Sequence, residues 1–83
     1  MSTETTEPRS LNIIAREIHA DWKKVNFAAV PYLDAMHDLQ SVEDNYYHDS
    51  GRSIVVYFLA NAGTWRGEVA RRVKAELKNI AGR

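Results

Sequence analysis

The side chains best suited to metal or acid–base chemistry are the three histidines, His19, His37 and His48. No two of them are spaced to lie one turn apart on one predicted helix, the arrangement by which a helix offers two imidazoles to a metal ion. An exposed histidine is most often an ordinary surface residue. We therefore expect neither a metal site nor a bound cofactor.

Two other groups of residues have the types needed for catalysis. Asp34 and Asp38 are four residues apart, as paired carboxylates on a helix would be. Ser50, His48 and Asp49 contain the three groups of a nucleophilic triad. The two carboxylates are best explained as solvent-exposed residues on one face of a helix. Nothing in the sequence would hold the three triad residues in a catalytic arrangement. No catalytic residue and no enzymatic activity are expected.

Charge is unevenly distributed, although the net charge of the 83 residues is zero. Residues 31–51 contain five Asp or Glu and no Lys or Arg, whereas residues 64–83 contain six Lys or Arg against two Glu, a net charge of +4. Either the acidic and basic parts pair, within a chain or between chains, or the basic part binds nucleic acid. We favour pairing, because dedicated nucleic-acid-binding domains usually have a net positive charge.

Length and composition exclude several further classes of protein. A chain of 83 residues corresponds to one domain, and so small a core is often extended by oligomerisation. The absence of cysteine excludes disulfides, thiolate metal sites and a cysteine nucleophile. The longest apolar run, residues 54–60, is far shorter than the roughly 20 residues that span a bilayer. We expect a soluble, cytoplasmic protein with no membrane partner.

The pattern of apolar residues predicts a tail and two helices in the first half of the chain. Residues 1–9 are polar and predict a disordered tail, which leaves residues 10–83 as a single helical domain. Ser10 is placed to cap a first helix over residues 11–24, whose apolar residues fall on one face. A second helix carries Pro31 in its first turn and ends at residue 40 or 41.

The second half of the chain predicts two more helices. Residues 54–60 are β-branched and aromatic like a strand, but no partner strand is evident, so we assign residues 52–62 to a helix. The alternative is a strand that pairs across a dimer. Gly63 is expected in a left-handed conformation, and Thr64 is expected to cap the fourth helix. The predicted fold is all-α, a compact bundle of four short helices.

The aromatic residues divide into two sets. Those expected in the core or at the joints between helices are Trp22, Phe27, Tyr32, Phe58 and Trp65. Trp65 in particular is interpreted as a plug between the third and fourth helices. Tyr46 and Tyr47 lie in the acidic loop 41–51, which either packs over the helices or forms a contact surface, since tyrosine is enriched at interfaces.

The helical hairpin of residues 52–80 has the size of a helix-turn-helix DNA-binding motif. Its second helix would place four basic residues near DNA, namely Arg66, Arg71, Arg72 and Lys74. Glu68 would repel phosphate, the position of Arg72 is usually apolar in that motif, and Trp65 is too large and apolar to face a groove. DNA binding is therefore the alternative function.

Three segments resemble a family of small proteins encoded by bacteriophages of mycobacteria and related actinobacteria. They are IAREIHADW (14–22), AVPYLDAM (29–36) and RSIVVYFLANAGTWRGEVARRVKAEL (52–77). The resemblance implies a phage accessory protein in the host bacterial cytoplasm that binds a host or phage protein, or DNA. It implies no catalytic residue or cofactor.

The function expected from the sequence is that of a small interaction protein that also forms homo-oligomers. Its contact residues are expected among the exposed side chains of the acidic loop and the last helix. These are Asp44, Tyr46, Tyr47, Asp49, Arg66, Arg71 and Arg72.

Overall fold

Four α-helices form most of the described part of the chain, residues 9–82, in the computed structural model. They are α1 (Leu11–Asp21), α2 (Val30–His37), α3 (Gly51–Ala60) and α4 (Glu68–Ile80). The predicted mainly helical fold is confirmed. The predicted tail, residues 1–9, lies outside the described residues except for Arg9, which forms ion pairs with Glu17 on α1 and Glu76 on α4.

A small antiparallel sheet precedes α3, where the sequence predicted no strand. Its strands are β1 (Asn45–Tyr46) and β2 (Asp49–Ser50). Tyr47, in the turn between them, has a φ of 57°, a left-handed conformation that is uncommon outside Gly, Asn and Asp. The expectation of a purely helical fold was wrong here, because strands of two residues are too short to give an alternating pattern. The strand-like run 54–60 is helical, as predicted.

The apolar stripes predicted for the helices form one core. Its residues on α1 are buried as predicted, and Trp22 is buried directly after that helix. α1 ends at Asp21 instead of residue 24, because Trp22 leaves the helical conformation and packs its ring against Phe58 and Trp65. The other helices contribute the remaining large core side chains, which include Leu33, Met36, Val55, Phe58, Val73 and Leu77.

The first turn of α1 is capped by backbone carbonyl groups from another part of the chain. Leu11 N–H donates to the Gln40 carbonyl and Asn12 N–H to the Leu39 carbonyl, both at 2.9 Å. These carbonyls are free to accept because α2 ends at His37, earlier than predicted. The predicted capping bond of Ser10 is wrong, since its hydroxyl donates to the Asn12 side chain instead.

The connection between α3 and α4 comprises seven residues, 61–67, and contains the predicted plug. Trp65 is only 2% exposed. Two predictions for this corner are wrong: Gly63 has no positive φ, and Thr64 does not cap a helix. The left-handed glycine is Gly67 (φ 111°), immediately before α4, because the chain first places Trp65 in the core.

Across residues 9–82, none of the helices combines the length and the apolar character that a membrane span requires.

Candidate interaction surface

The acidic loop predicted as a contact surface is partly a structural element. The Asp44 carboxylate accepts hydrogen bonds from the backbone N–H groups of Gln40 (3.0 Å) and Ser41 (3.3 Å). Tyr46 is half-buried and packs against the core. Of the loop residues predicted as contacts, Tyr47, which is 85% exposed, and Asp49 remain available to a partner.

Backbone contacts join this loop to the start of α3. Gly51 N–H donates to the Asp44 carbonyl at 2.6 Å. A Cβ atom at Gly51 would lie 2.6 Å from the Ser41 carbonyl oxygen and 2.9 Å from the Val42 Cα. The Arg52 guanidinium donates to the Ala81 carbonyl at 3.1 Å, which places the loop beside the C-terminal end of α4.

The basic residues cluster at the opposite end of α4. Arg66, Arg71 and Lys74 line a shallow depression beside Trp65 and Gly67. The Lys74 ammonium donates to the Trp65 carbonyl at 2.7 Å, and burial, followed by the charges of Lys78 and Arg66, lowers the pKa of Lys74. Among the described residues, Arg66 and Arg71 form no ion pair.

Arg72 has a different role from the other basic residues of α4. It pairs with Glu17, which also contacts Arg9 at 2.8 Å. Hydrogen bonds from Arg9 and then from Arg72 lower the pKa of Glu17, and the Glu76 hydrogen bond raises that of Arg9. Arg72 is therefore part of a salt-bridge network between α1 and α4, although it was predicted as a partner contact.

The structure does not bring the predicted contact residues together in one surface. α4 has 13 residues, so its two ends are about 20 Å apart. The loop lies at one end and the Arg66–Arg71 cluster near the other. No ion pair within residues 9–82 joins the acidic segment 31–51 to the basic segment that begins at residue 64. Pairing of the two segments between chains stays a prediction.

Phe27 was predicted in the core or at a joint between helices. It lies in the connection between α1 and α2, but its side chain is 90% exposed and is not part of the core. It lies in a 3₁₀ turn (Phe27–Ala29) that leads directly into α2, and the Asn26 side chain caps this turn by accepting from Ala28 N–H. The inner face of this segment carries Ala29 and Leu33, both fully buried. Phe27 is two residues before Ala29 and so points away from that face.

Further apolar side chains, those of Val30 and Tyr57, are exposed on the two helices that adjoin this turn, where the start of α2 meets the end of α3. Val30 is partly exposed and one helical turn after Phe27. The Asn26 side chain donates to the Asn61 carbonyl, and the Asn61 side chain donates to the Tyr57 carbonyl. Tyr57 is 47% exposed, and its ring centroid is 5.4 Å from that of Tyr32. We call Phe27, Val30, Tyr32 and Tyr57 the aromatic face.

Two of the histidines meet on the surface. His19 Nδ1 on α1 lies 2.8 Å from His37 Nε2 on α2. Their separation of 18 residues gives no local signal, because only the packing of α1 on α2 brings them together. Within residues 9–82, no group of three or more metal-ligating side chains is found, and His48 lies apart in the β1–β2 turn.

Comparisons of the chain with protein-family models, with curated proteins and with solved structures found no match. The functional proposal for this chain therefore comes from its own surfaces.

Proposed function

We propose that this protein works by binding another protein through the aromatic face, and that it self-associates through the same face. The observation that carries the proposal is the 90% exposure of Phe27. Full burial of such a side chain is favourable by about 1.5–3 kcal/mol relative to leaving it in water, and folding of the single chain does not provide that burial. Contact with a partner would provide it.

The composition of the aromatic face fits an interface core. Aromatic side chains are enriched among the residues that contribute most to binding, and polar groups usually surround them. Here Asn26 and Asn61 lie at the border, and their hydrogen bonds hold the turn against the end of α3. The face is therefore presented on a fixed backbone, which lowers the entropy lost on binding.

A second copy of the chain is the first partner to consider. A stable interface covers about 800 Å² per partner, and the described surface totals 5355 Å². The aromatic face and its border would supply the centre of such a patch. In a two-fold dimer the same face lies on both sides, so each Phe27 would pack against the aromatic face of the other copy.

Light scattering on a size-exclusion column tests this proposal. The wild-type mass should exceed that of one chain, 9.5 kDa, and should rise with concentration. Phe27→Ser should remain at the mass of one chain, because the anchor of the contact is lost. Tyr47→Ser is the matched control, since Tyr47 is an equally exposed aromatic residue on the β1–β2 turn. A wild-type protein that stays monomeric at every concentration rejects self-association.

Binding to a host or phage protein is tested separately, because it does not require a dimer. The resemblance to small phage proteins supports the cytoplasm of an actinobacterial host as the setting. Wild-type protein and Phe27→Ser should be used as baits in nuclease-treated host lysate, with Tyr47→Ser as the control. A partner captured equally by all three baits would contradict the role of the aromatic face.

DNA binding is the second candidate function, and the cluster of Arg66, Arg71 and Lys74 favours it. Against it, the connection of seven residues is longer than the three or four typical of a helix-turn-helix. Trp65, which precedes the second helix, is buried and donates its indole N–H to Asp21 at 2.8 Å. Because these features argue against a helix-turn-helix that reads bases, DNA binding would rest on contacts between the basic side chains and phosphate groups.

Fluorescence anisotropy with a duplex of about 20 base pairs distinguishes the two functions. Binding through phosphates should weaken steeply between 50 and 150 mM salt. The double variant Arg66→Glu/Arg71→Glu should then lose binding, whereas Arg16→Glu, at an exposed position on α1, should change it less. A dissociation constant below about 10⁻⁷ M near 150 mM salt would place DNA binding ahead of protein binding.

A further inference from the structure

The imidazole rings of His19 and His37 meet edge to edge at the surface of the α1–α2 pair. Their facing nitrogens are 2.8 Å apart and their ring centroids 4.9 Å apart. The centroid separation is close to the nitrogen separation plus the two ring radii, so the rings are not stacked face to face. The two nitrogens therefore share one proton in a hydrogen bond, one as donor and the other as acceptor.

We propose that His19 and His37 form a chelating site for a late first-row divalent metal ion such as Zn²⁺ or Ni²⁺. Imidazole nitrogen is a preferred ligand for these ions, with bonds of about 2.0–2.1 Å to Zn²⁺. Two nitrogens bound to one ion at angles between 90° and the tetrahedral value are therefore about 2.9–3.4 Å apart. The observed separation is 2.8 Å and the two nitrogens face each other along one line, so each ring must turn by about 35–45° and the nitrogens must move slightly apart to admit the ion.

The two ligands are brought close together before a metal binds. Each lies on a helix, and α1 and α2 pack against each other along the core. His19 is exposed and His37 half-exposed, so water and an ion can reach both rings. Binding replaces a single hydrogen bond between the two rings, whose net contribution to stability is small. A bound ion would link α1 to α2.

Two protein ligands leave the other coordination positions to water, since the described residues hold no larger cluster of metal-ligating side chains. A structural zinc site with four protein ligands binds very tightly. Two such ligands supply about half of that binding free energy, which corresponds to a dissociation constant on the order of 10⁻⁴ to 10⁻⁶ M. Zn²⁺ and Ni²⁺ should bind in this range, and Mg²⁺, which prefers oxygen ligands, should not.

Isothermal titration and thermal melting of the untagged chain test the site, because a polyhistidine tag would itself bind the ions. ZnCl₂ and NiCl₂ should each bind with one ion per chain. At a tenfold excess over the dissociation constant they should raise the melting temperature by roughly 5–10 °C. MgCl₂ should leave the melting temperature unchanged.

Single substitutions separate this site from unspecific binding of metal ions. His19→Ala and His37→Ala should each remove the shift in melting temperature, and both positions are exposed enough for the chain to fold without the imidazole. His48→Ala is the matched control and should keep the shift. His19→Gln is a milder substitution. If its circular dichroism is native, loss of the shift in this variant reflects the missing metal ligand and not a folding defect.

Several outcomes would overturn the proposal. One is a wild-type chain that neither binds Zn²⁺ nor Ni²⁺ at 1 mM nor melts at a higher temperature. Another is a shift that persists in both His19→Ala and His37→Ala. A shift abolished by His48→Ala would place the metal elsewhere on the chain.

Discussion

The chain has two groups of aromatic residues, one buried in the core and the other largely exposed to solvent. In the interior cluster, the Trp65 ring stacks on that of Trp22 with centroids 5.7 Å apart and planes 11° apart. Phe58 meets both indoles edge-on. On the aromatic face, by contrast, Phe27 is 90% exposed. Residues of the same chemical type are therefore buried in one region and exposed in the other.

Together with the proposed function, the contrast assigns stability and binding to different residues. Trp65 joins α1 and α3 by its packing on Phe58 and its hydrogen bond to Asp21, so its loss should affect folding. Phe27 packs on little of its own chain, so its loss should affect contact with a partner and leave the fold intact. Substitutions in the two regions should consequently have separable effects.

The largest expected effect is that of Trp65→Ala, which should lower the free energy of unfolding by about 3–5 kcal/mol, as other truncations of buried aromatic residues do. Trp65→Phe keeps part of the packing but loses the hydrogen bond to Asp21, so it should cost less. Urea unfolding followed by circular dichroism measures both values. Unfolding of Trp65→Ala at the wild-type urea concentration would contradict the burial of this ring.

Gly51→Ala tests whether the backbone around the β1–β2 hairpin is closely packed, as the side chains of the interior aromatic cluster are. The new Cβ would meet the Ser41 carbonyl and the Val42 Cα, so the loop must move, at a cost of about 1–3 kcal/mol. Gly63→Ala is the matched control, because no atom beyond its two chain neighbours lies within 4 Å of its Cβ position and its φ is not positive. Equal melting temperatures for the two variants would show that the loop is not held against α3.

The salt-bridge network between α1 and α4 should make stability depend on pH by a smaller amount. The pKa of Glu17 in the folded chain is below its ordinary value of 4.5, chiefly because of Arg9 and then Arg72. The unfolded chain therefore takes up this proton first, and the stabilisation, complete above about pH 4.5, is lost as the pH falls through the lower folded value.

Urea unfolding between pH 6 and pH 3 measures this dependence. The wild type should lose more stability over this range than Glu17→Gln does. Glu43→Gln is the control, because Glu43 is largely exposed and its partner Arg52 is 3.7 Å away. Parallel curves for the wild type and Glu17→Gln would show that the network contributes nothing to acid sensitivity.

The smallest expected effect on stability is that of Phe27→Ala, which should change the free energy of unfolding by less than about 0.5 kcal/mol. The ring is almost entirely in water, so its removal leaves no cavity. The same urea titration measures the effect at a concentration where the chain is monomeric. A loss comparable to that of Trp65→Ala would remove the distinction between the two aromatic groups.

The helices and their buried faces could be predicted from the sequence because helical periodicity is a local property of the chain. The apolar stripe of α4, which contains Val73 and Leu77, is an example, and both residues are fully buried. The burial of Trp65 could also be predicted, since a large apolar side chain in a short connection has few other environments.

Features that depend on contacts between distant segments could not be predicted. The N-terminal turn of α1 is capped by the Leu39 and Gln40 carbonyls, which carry no signal of residue type. The meeting of His19 and His37 depends in the same way on the packing of two helices. The exposure of Phe27 could have been predicted, because this residue lies two positions before Ala29 and outside the apolar stripe of Ala29 and Leu33.

The location of the contact surface is tested most directly by recording ¹H–¹⁵N NMR spectra of the wild-type chain from dilute to concentrated solution. Self-association through the aromatic face predicts concentration-dependent shifts at Phe27, Val30, Tyr57 and Asn61, with residues of the β1–β2 turn unchanged. Shifts confined instead to Tyr47 and Asp49 and to the Arg66–Arg71 cluster would contradict the proposal. That pattern would indicate pairing of acidic and basic surfaces between chains.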